Sequence, residues 1–149
     1  MGVYKRLEQV PDEFRLRRYC DRYRENDVWQ AFERAKRDAF DSESFRDTFR
    51  KAGRTWKEHM ERRGRHHALG TPRDVETWCA TLTQDRTLET VYKEYWVRLE
   101  AFYSWLQWHT DHPHVYQPVL MAAANHEISR AVWWTKMDRH PESLVFNYE

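Results

Sequence analysis

Residues 87–108, TLETVYKEYWVRLEAFYSWLQW, decide how this chain folds. Leu88, Tyr92, Tyr95, Leu99, Phe102 and Leu106 recur at alternating steps of four and three, the spacing that lines one face of an α-helix. Val91, Trp96, Tyr103 and Trp105 widen that face. A helix this apolar belongs at the centre of a molecule, with neighbours on more than one side. Thr90, Lys93, Glu94, Arg98 and Gln107 make up its polar side.

Reading outward, the segment before it opens on Thr71-Pro72-Arg73-Asp74. Thr71 can cap a helix, Pro72 suits its first turn, and Asp74 can reach back to the cap amide. Val75, Trp78, Cys79 and Leu82 follow at helical spacing, and residues 83–86 form a turn. On the far side, Pro113 and Pro118 break HTDHPHVYQP (109–118). Pro118 starts a short helix through 124. Asn125 then caps a last helix bearing Ile128, Ala131, Val132 and Trp134. The tail DRHPESLVFNYE (138–149) reads as non-helical.

The N-terminal half yields three more helices. Pro11 and Asp12 open the first, with Leu16, Tyr19, Cys20 and Tyr23 as one stripe. Asn26 or Asp27 caps the second, which carries Val28, Phe32, Ala35 and Ala39, flanked by Trp29 and Phe40. The third runs over about 44–63, with Phe45, Phe49, Ala52, Trp56 and Met60 inward and Gly64 ending it. Gly53 inside this row costs about 1 kcal/mol relative to Ala, which a close helix crossing would explain. The chain is thus expected to be all-α, one compact bundle of six to seven helices: a basic helical arm over 1–66, a bundle over 67–137 and an extended tail over 138–149.

Composition agrees. Eight Trp, eight Tyr and seven Phe in 149 residues supply a core, and four Gly with five Pro are too few for a strand-and-turn architecture. Cys20 and Cys79 form no CxxC pair and read as two buried thiols in a reducing compartment. No run of eighteen apolar residues occurs, and the opening MGVYKRLEQV is charged too early for a signal peptide. A cytoplasmic protein with no membrane partner is therefore expected.

The net charge of +1 is unevenly placed. Residues 1–70 hold 18 Lys and Arg against 13 Asp and Glu, whereas residues 71–149 hold 7 against 11. The excess concentrates in the third helix and just beyond it, where Arg46, Arg50, Lys51, Arg54, Lys57, Arg62, Arg63 and Arg65 face only Asp47, Glu58 and Glu61. Arg46, Arg50, Arg54 and Lys57 step by four, four and three, so they form a stripe beside the apolar row. Such a stripe can neutralise successive phosphates, and arginine adds bidentate contacts. A solvated helix face laced with Glu–Arg pairs accounts for the same pattern.

Other chemistries find little support. There is no glycine-rich phosphate loop, no GxSxG and no HExxH, so no catalytic residue and no cofactor is expected. His109, Asp111, His112 and His114 cluster, but their spacing matches no zinc pattern and no cysteine lies nearby. They are expected to pack on Trp108 and Tyr116 rather than hold a metal, and His66-His67 to form a polar loop. Trp29, Trp108 and Trp133 are the aromatics least explained by a core stripe.

The segment 71–124 resembles the core-binding, SAM-like domain of tyrosine recombinases, the phage integrase family. The resemblance rests on TPRDVETWCATL (71–82), RTLETVYKEYWVRLEAFYSWL (86–106) and HPHVYQPV (112–119), with Phe102, Trp105 and Leu106 at the aromatic and Trp-Leu end of the family's long helix. The whole chain is also similar to the short integrase-like SAM-domain proteins of halophilic archaea. The resemblance implies a helical bundle gripping one side of a DNA duplex, with the start of the long helix, here Thr87, Thr90 and Lys93, facing DNA. It does not imply strand exchange. The family's His-x-x-Arg is replaced by His126-Glu-Ile-Ser-Arg130, one residue too long, and Tyr148 lacks the partners that would make it a nucleophile. The expected function is non-catalytic binding of double-stranded DNA through Arg46, Arg50, Arg54, Lys57, Arg62, Arg63, Arg65, Thr87, Thr90 and Lys93. Docking on a full-length integrase, or self-association, is the alternative.

Overall fold

The computed structural model describes residues 4–37 and 42–138. Its axis is α5, in which Leu88–Thr90, Val91–Trp96 and Val97–Trp108 run on as one helix whose middle section is π-helical. Within that section the Val97 N–H bonds the carbonyl of Tyr92, five residues back. The wider turn inserts residues into the helical repeat and rotates everything N-terminal to it. The buried row is therefore Val91, Tyr95, Trp96, Leu99, Phe102, Tyr103 and Leu106. Tyr92 is half-buried and Leu88 is exposed, which corrects the expectation that an unbroken α-period would bury both.

Six further helices complete the described part, and no strand occurs in it. They are α1 (Cys20–Tyr23), α2 (Val28–Ala35), α3 (Glu43–Arg62), α4 (Pro72–Leu82), α6 (Pro118–Asn125) and α7 (Glu127–Asp138). Helices α4, α6 and α7 pack on one another, and α7 also meets the first half of α5. Helices α2 and α3 pack against α5 from elsewhere, so α5 is covered by both groups. The buried side chains form one hydrophobic cluster from Val10 to Val132.

Local chemistry explains the boundaries. Asp27 caps α2 by accepting from Gln30 N, and Ser42 caps α3 by accepting from Phe45 N. Gly64 adopts φ +74°, with Gly64 N bonded to Glu61 O and Arg65 N to Met60 O, the paired bonds of a glycine-terminated helix. The Thr71–Asp74 capping box opens α4, with Pro72 in its first turn. Gly53 lies under the indole of Trp29, and a Cβ there would come within 2.2 Å of the indole nitrogen. The glycine thus makes room for a side chain from α2, rather than for the expected close crossing of helix backbones.

Several expectations need correction. Residues 12–23 form not one amphipathic helix but 3₁₀ turns at Asp12–Phe14 and Leu16–Tyr19, followed by the single turn α1, and a further 3₁₀ turn at Leu7–Gln9 precedes them. Arg15 is extended between two of these turns (φ −74°, ψ 135°) and ties back through Nε to Val10 O. The broken path lets Val10, Leu16 and Tyr23 each reach the core, while Cys20 is exposed. The expectation of two buried thiols therefore holds only for Cys79, whose pKa burial pushes up to about 12. Ala35 is exposed at the end of α2. Ala39, Phe40 and residues 139–149 lie outside the described residues. Asn125 closes α6 rather than capping α7. The α7 amides of Ile128 and Ser129 are taken by the carboxylate of Glu76 on α4, at 3.1 and 2.8 Å. Among the described residues no helix is long and apolar enough to cross a membrane.

Candidate nucleic-acid interface

Helix α3 presents two edges beside its buried row. One edge meets α2: Arg50 Nε lies 3.4 Å from Glu33 Oε1, and Lys57 Nζ lies 3.0 Å from Asp27 Oδ2. The other meets the start of α5, where Lys51 Nζ lies 2.6 Å from Glu94 Oε1 and 5.3 Å from the Tyr95 ring centre. The Glu94 carboxylate holds the Lys51 ammonium above its ordinary pKa. Asp27 is held below the usual carboxylate range: burial alone would push it up, and the Gln30 amide and Lys57 outweigh burial.

The α2 edge carries the densest positive charge. Glu33, Arg34, Arg37, Arg46 and Arg50 line a recess of about 120 Å³ between the end of α2 and the first turns of α3. Farther along, Arg50, Arg54 and Lys57 continue the line above Asp27, Glu33, Glu58 and Glu61. Four guanidiniums and one carboxylate thus line the near end, with only Arg50 paired to Glu33, and acidic groups dilute the far end. Arg34, Arg37, Arg46 and Arg54 have no ion pair among the described residues. Successive arginines of the stripe stand about 6 Å apart along the α3 axis. This arrangement can grip several anionic oxygens side by side, because each guanidinium is planar, permanently charged and able to donate two parallel hydrogen bonds.

What holds α2 against α3 is partly a histidine pair. His67 Nε2 accepts from both Val28 N and Trp29 N, at 3.1 and 3.2 Å, and so satisfies two free amides at the start of α2. Its neighbour His66 donates through Nε2 to Asn26 O at 2.7 Å. Burial, with His66 stacked 4.0 Å away, depresses His67 to about 3, so it is a neutral acceptor near neutrality. The pair is therefore not simply a polar loop: one ring is a buried tie between the α3–α4 connection and α2.

The residues singled out from sequence fall into separate places. Arg46, Arg50, Arg54 and Lys57 come together on the α2 edge. Arg63 and Arg65 lie past the end of α3, with their Nε atoms 2.5 and 3.1 Å from the two oxygens of Asp74. Asp74 is fully buried and also accepts from Thr71 N and Thr71 Oγ1. Drawing either arginine away would leave this carboxylate short of a partner, which is costly in a buried site. Arg62 is exposed in the last turn of α3. Thr87 caps α5 by accepting from Thr90 N, and Lys93 pairs with Glu89 at 2.8 Å. These three sit at the start of α5, whose first turn packs against α7. Arg34 and Arg37 precede the basic run 46–65 in the sequence and join it only in space. Their three-residue spacing at a helix end, next to another basic helix, was the available signal.

The histidines of the 109–114 loop also take places of their own. His112 shares a 2.6 Å hydrogen bond with Tyr23 Oη, and His114 donates through Nε2 to Ala68 O at 2.6 Å. His109 and His112 pack on Trp105 rather than Trp108, and His114 packs on Tyr23 and Tyr103 rather than Tyr116. Trp108, beyond the last buried position of α5, is 88% exposed and so offers no surface for them. Among the described residues no group of three or more His, Cys, Asp or Glu is placed to hold a metal ion. Compared with protein-family models, with curated proteins and with solved structures, the chain finds no match in any of the three.

Proposed function

We propose that this protein is a non-catalytic module that binds double-stranded DNA through its phosphates. The observation that carries the reading is the convergence of Arg34, Arg37, Arg46 and Arg50 on one edge of α3 against the single carboxylate of Glu33. Every residue that lines the recess is charged, and four of the five are arginines, which suits a sugar-phosphate backbone. Resemblance of residues 71–124 to the core-binding domain of phage integrases supports the same reading and suggests a cytoplasmic setting. In that light Thr87, Thr90 and Lys93 form a second, weaker contact at the start of α5. Arg63 and Arg65 act mainly through Asp74.

The test is fluorescence anisotropy with a duplex of about 25 base pairs across a range of salt. Affinity in the micromolar range that falls steeply with salt is expected. The triple change Arg34→Ala, Arg46→Ala and Arg50→Ala should weaken binding and reduce the salt slope by about 3. An unchanged slope would remove this edge from the interface.

A second reading has its own observation. Trp108, Leu120 and Trp134 are exposed at 88%, 45% and 44%, and exposed aromatics favour protein interfaces. A protein-interaction or dimerisation module would show concentration-dependent mass in light scattering and no salt-sensitive DNA binding.

A further inference from the structure

A second concave region lies away from the α2–α3 edge, between the N-terminal turns and the α3–α4 connection. It is a cleft of about 810 Å³, within the size range of small-molecule sites. Its floor is apolar, with Leu16, Leu69 and Tyr116 each almost fully buried beneath it. Its rim carries four guanidiniums, Arg15, Arg17, Arg24 and Arg65, and the only carboxylate among its lining residues is Glu25.

The four arginines are held in two ways. Arg15 donates through Nε to Val10 O, and Arg65 donates through Nε to the buried Asp74, both at 3.1 Å. Each is anchored by its inner nitrogen. Its terminal NH2 groups, half of the fork that takes phosphate or carboxylate, have no hydrogen-bond partner among the described residues. Arg17 and Arg24 are instead mobile in the energetic sense. Their partners Asp12 and Asp21 are largely exposed, as they are themselves, so those pairs contribute little and exchange readily for a ligand. Opposite Arg65, the Gly64 position opens onto free space: a Cβ there would touch nothing within 4 Å.

We propose that this cleft binds a small amphiphilic anion, an aromatic or branched apolar body bearing one phosphate or carboxylate group. Apolar side chains in its floor and a volume of about 810 Å³ distinguish it from the arginine recess on the α2 edge, which is about 120 Å³ and lined by charged residues alone. The proposal does not rest on DNA binding, and either can fail alone.

The probe is 1-naphthyl phosphate, titrated calorimetrically into the full chain. Saturable one-to-one binding is expected, with 1-naphthol and inorganic phosphate each at least about tenfold weaker. The double change Arg17→Ala and Arg24→Ala, at exposed positions that leave the core intact, should weaken the probe by at least about tenfold. Cys20 lines the cleft and is exposed, whereas Cys79 is buried. Saturating probe should therefore slow alkylation of Cys20 by iodoacetamide, which localises the ligand independently of any substitution. Vesicles of anionic phosphatidylglycerol should not co-sediment the protein, because the cleft takes a single molecule rather than a lipid surface. The proposal is overturned by absence of probe binding, by phosphate alone binding as well as the probe, by an unaffected double variant, by an unprotected Cys20, or by vesicle binding that the double variant abolishes.

Discussion

The arginines of the α2–α3 edge and those around Asp74 are close in sequence and opposite in role. Arg46, Arg50 and Arg54 stand on an exposed helix edge, with one carboxylate, Glu33, near Arg50. Arg63 and Arg65 converge on Asp74, which has no solvent exposure and also caps α4. The lesson is that a run of basic residues is not one feature. A guanidinium nitrogen bonded to a fully buried carboxylate is tied to the fold, whereas an exposed guanidinium that makes at most one long ion pair keeps its nitrogens available to a partner.

The sharpest way to break this contrast is to remove Asp74. Asp74→Ala leaves two partly buried guanidiniums unmatched and deletes half of the capping box. A loss of about 3–5 kcal/mol is expected in urea denaturation; a loss below about 1 kcal/mol would make Arg63 and Arg65 as free as the stripe.

Next in size is acid. His67 and His114 are buried and neutral, depressed by burial to about 3 and about 4. The unfolded chain takes up those protons near pH 6.5, before the folded one does, so their contribution is complete above that pH and declines as pH falls toward 4. Each should contribute a loss on the order of 2 kcal/mol between pH 7 and pH 5, read as a lower urea midpoint. If the stability were flat over that window, His67 would not be the acceptor that ties down α2.

Gly53→Ala tests the Trp29–Gly53 contact that positions α2. Helix propensity alone favours Ala by about 1 kcal/mol, yet the new methyl would meet the Trp29 indole. A net loss of about 1–3 kcal/mol with a shifted Trp emission is expected. A gain would mean that α2 gives way easily.

The smallest stability effect, and the most telling in function, belongs to the exposed edge. Arg50→Ala and Arg54→Ala should each change stability by less than about 0.5 kcal/mol while lowering the salt slope of DNA binding by about 1. A destabilisation as large as that of Asp74→Ala would place these arginines with the fold instead.

How much was legible beforehand depended on whether the signal was local. The Thr71-Pro72-Arg73-Asp74 start is a contact among neighbours, and the structure reproduces it atom for atom. The start of α2 at Asp27 and the end of α3 at Gly64 are legible for the same reason. The N-terminal turns misled because Leu16, Tyr19, Cys20 and Tyr23 match helical spacing, while the core buries Leu16 and Tyr23, takes Tyr19 only in part and leaves Cys20 exposed. The π section of α5 was illegible since its phase shift follows from what packs around Trp96 and Tyr95, not from the order of the residues. In the candidate site, the α3 stripe was visible as a helical period, but Arg34 and Arg37 join it only through the Trp29–Gly53 contact.

The helical class, the central place of residues 88–108 and the capped starts of α2 and α4 follow from periodicity and from hydrogen bonds within a few residues. Which charges are buried, that Glu76 rather than Asn125 serves the start of α7, and that one basic run divides into a pair bound to Asp74 and an exposed edge emerge only when the helices pack. Those outcomes depend on groups distant in the chain meeting away from water, where an unpaired charge or amide is expensive.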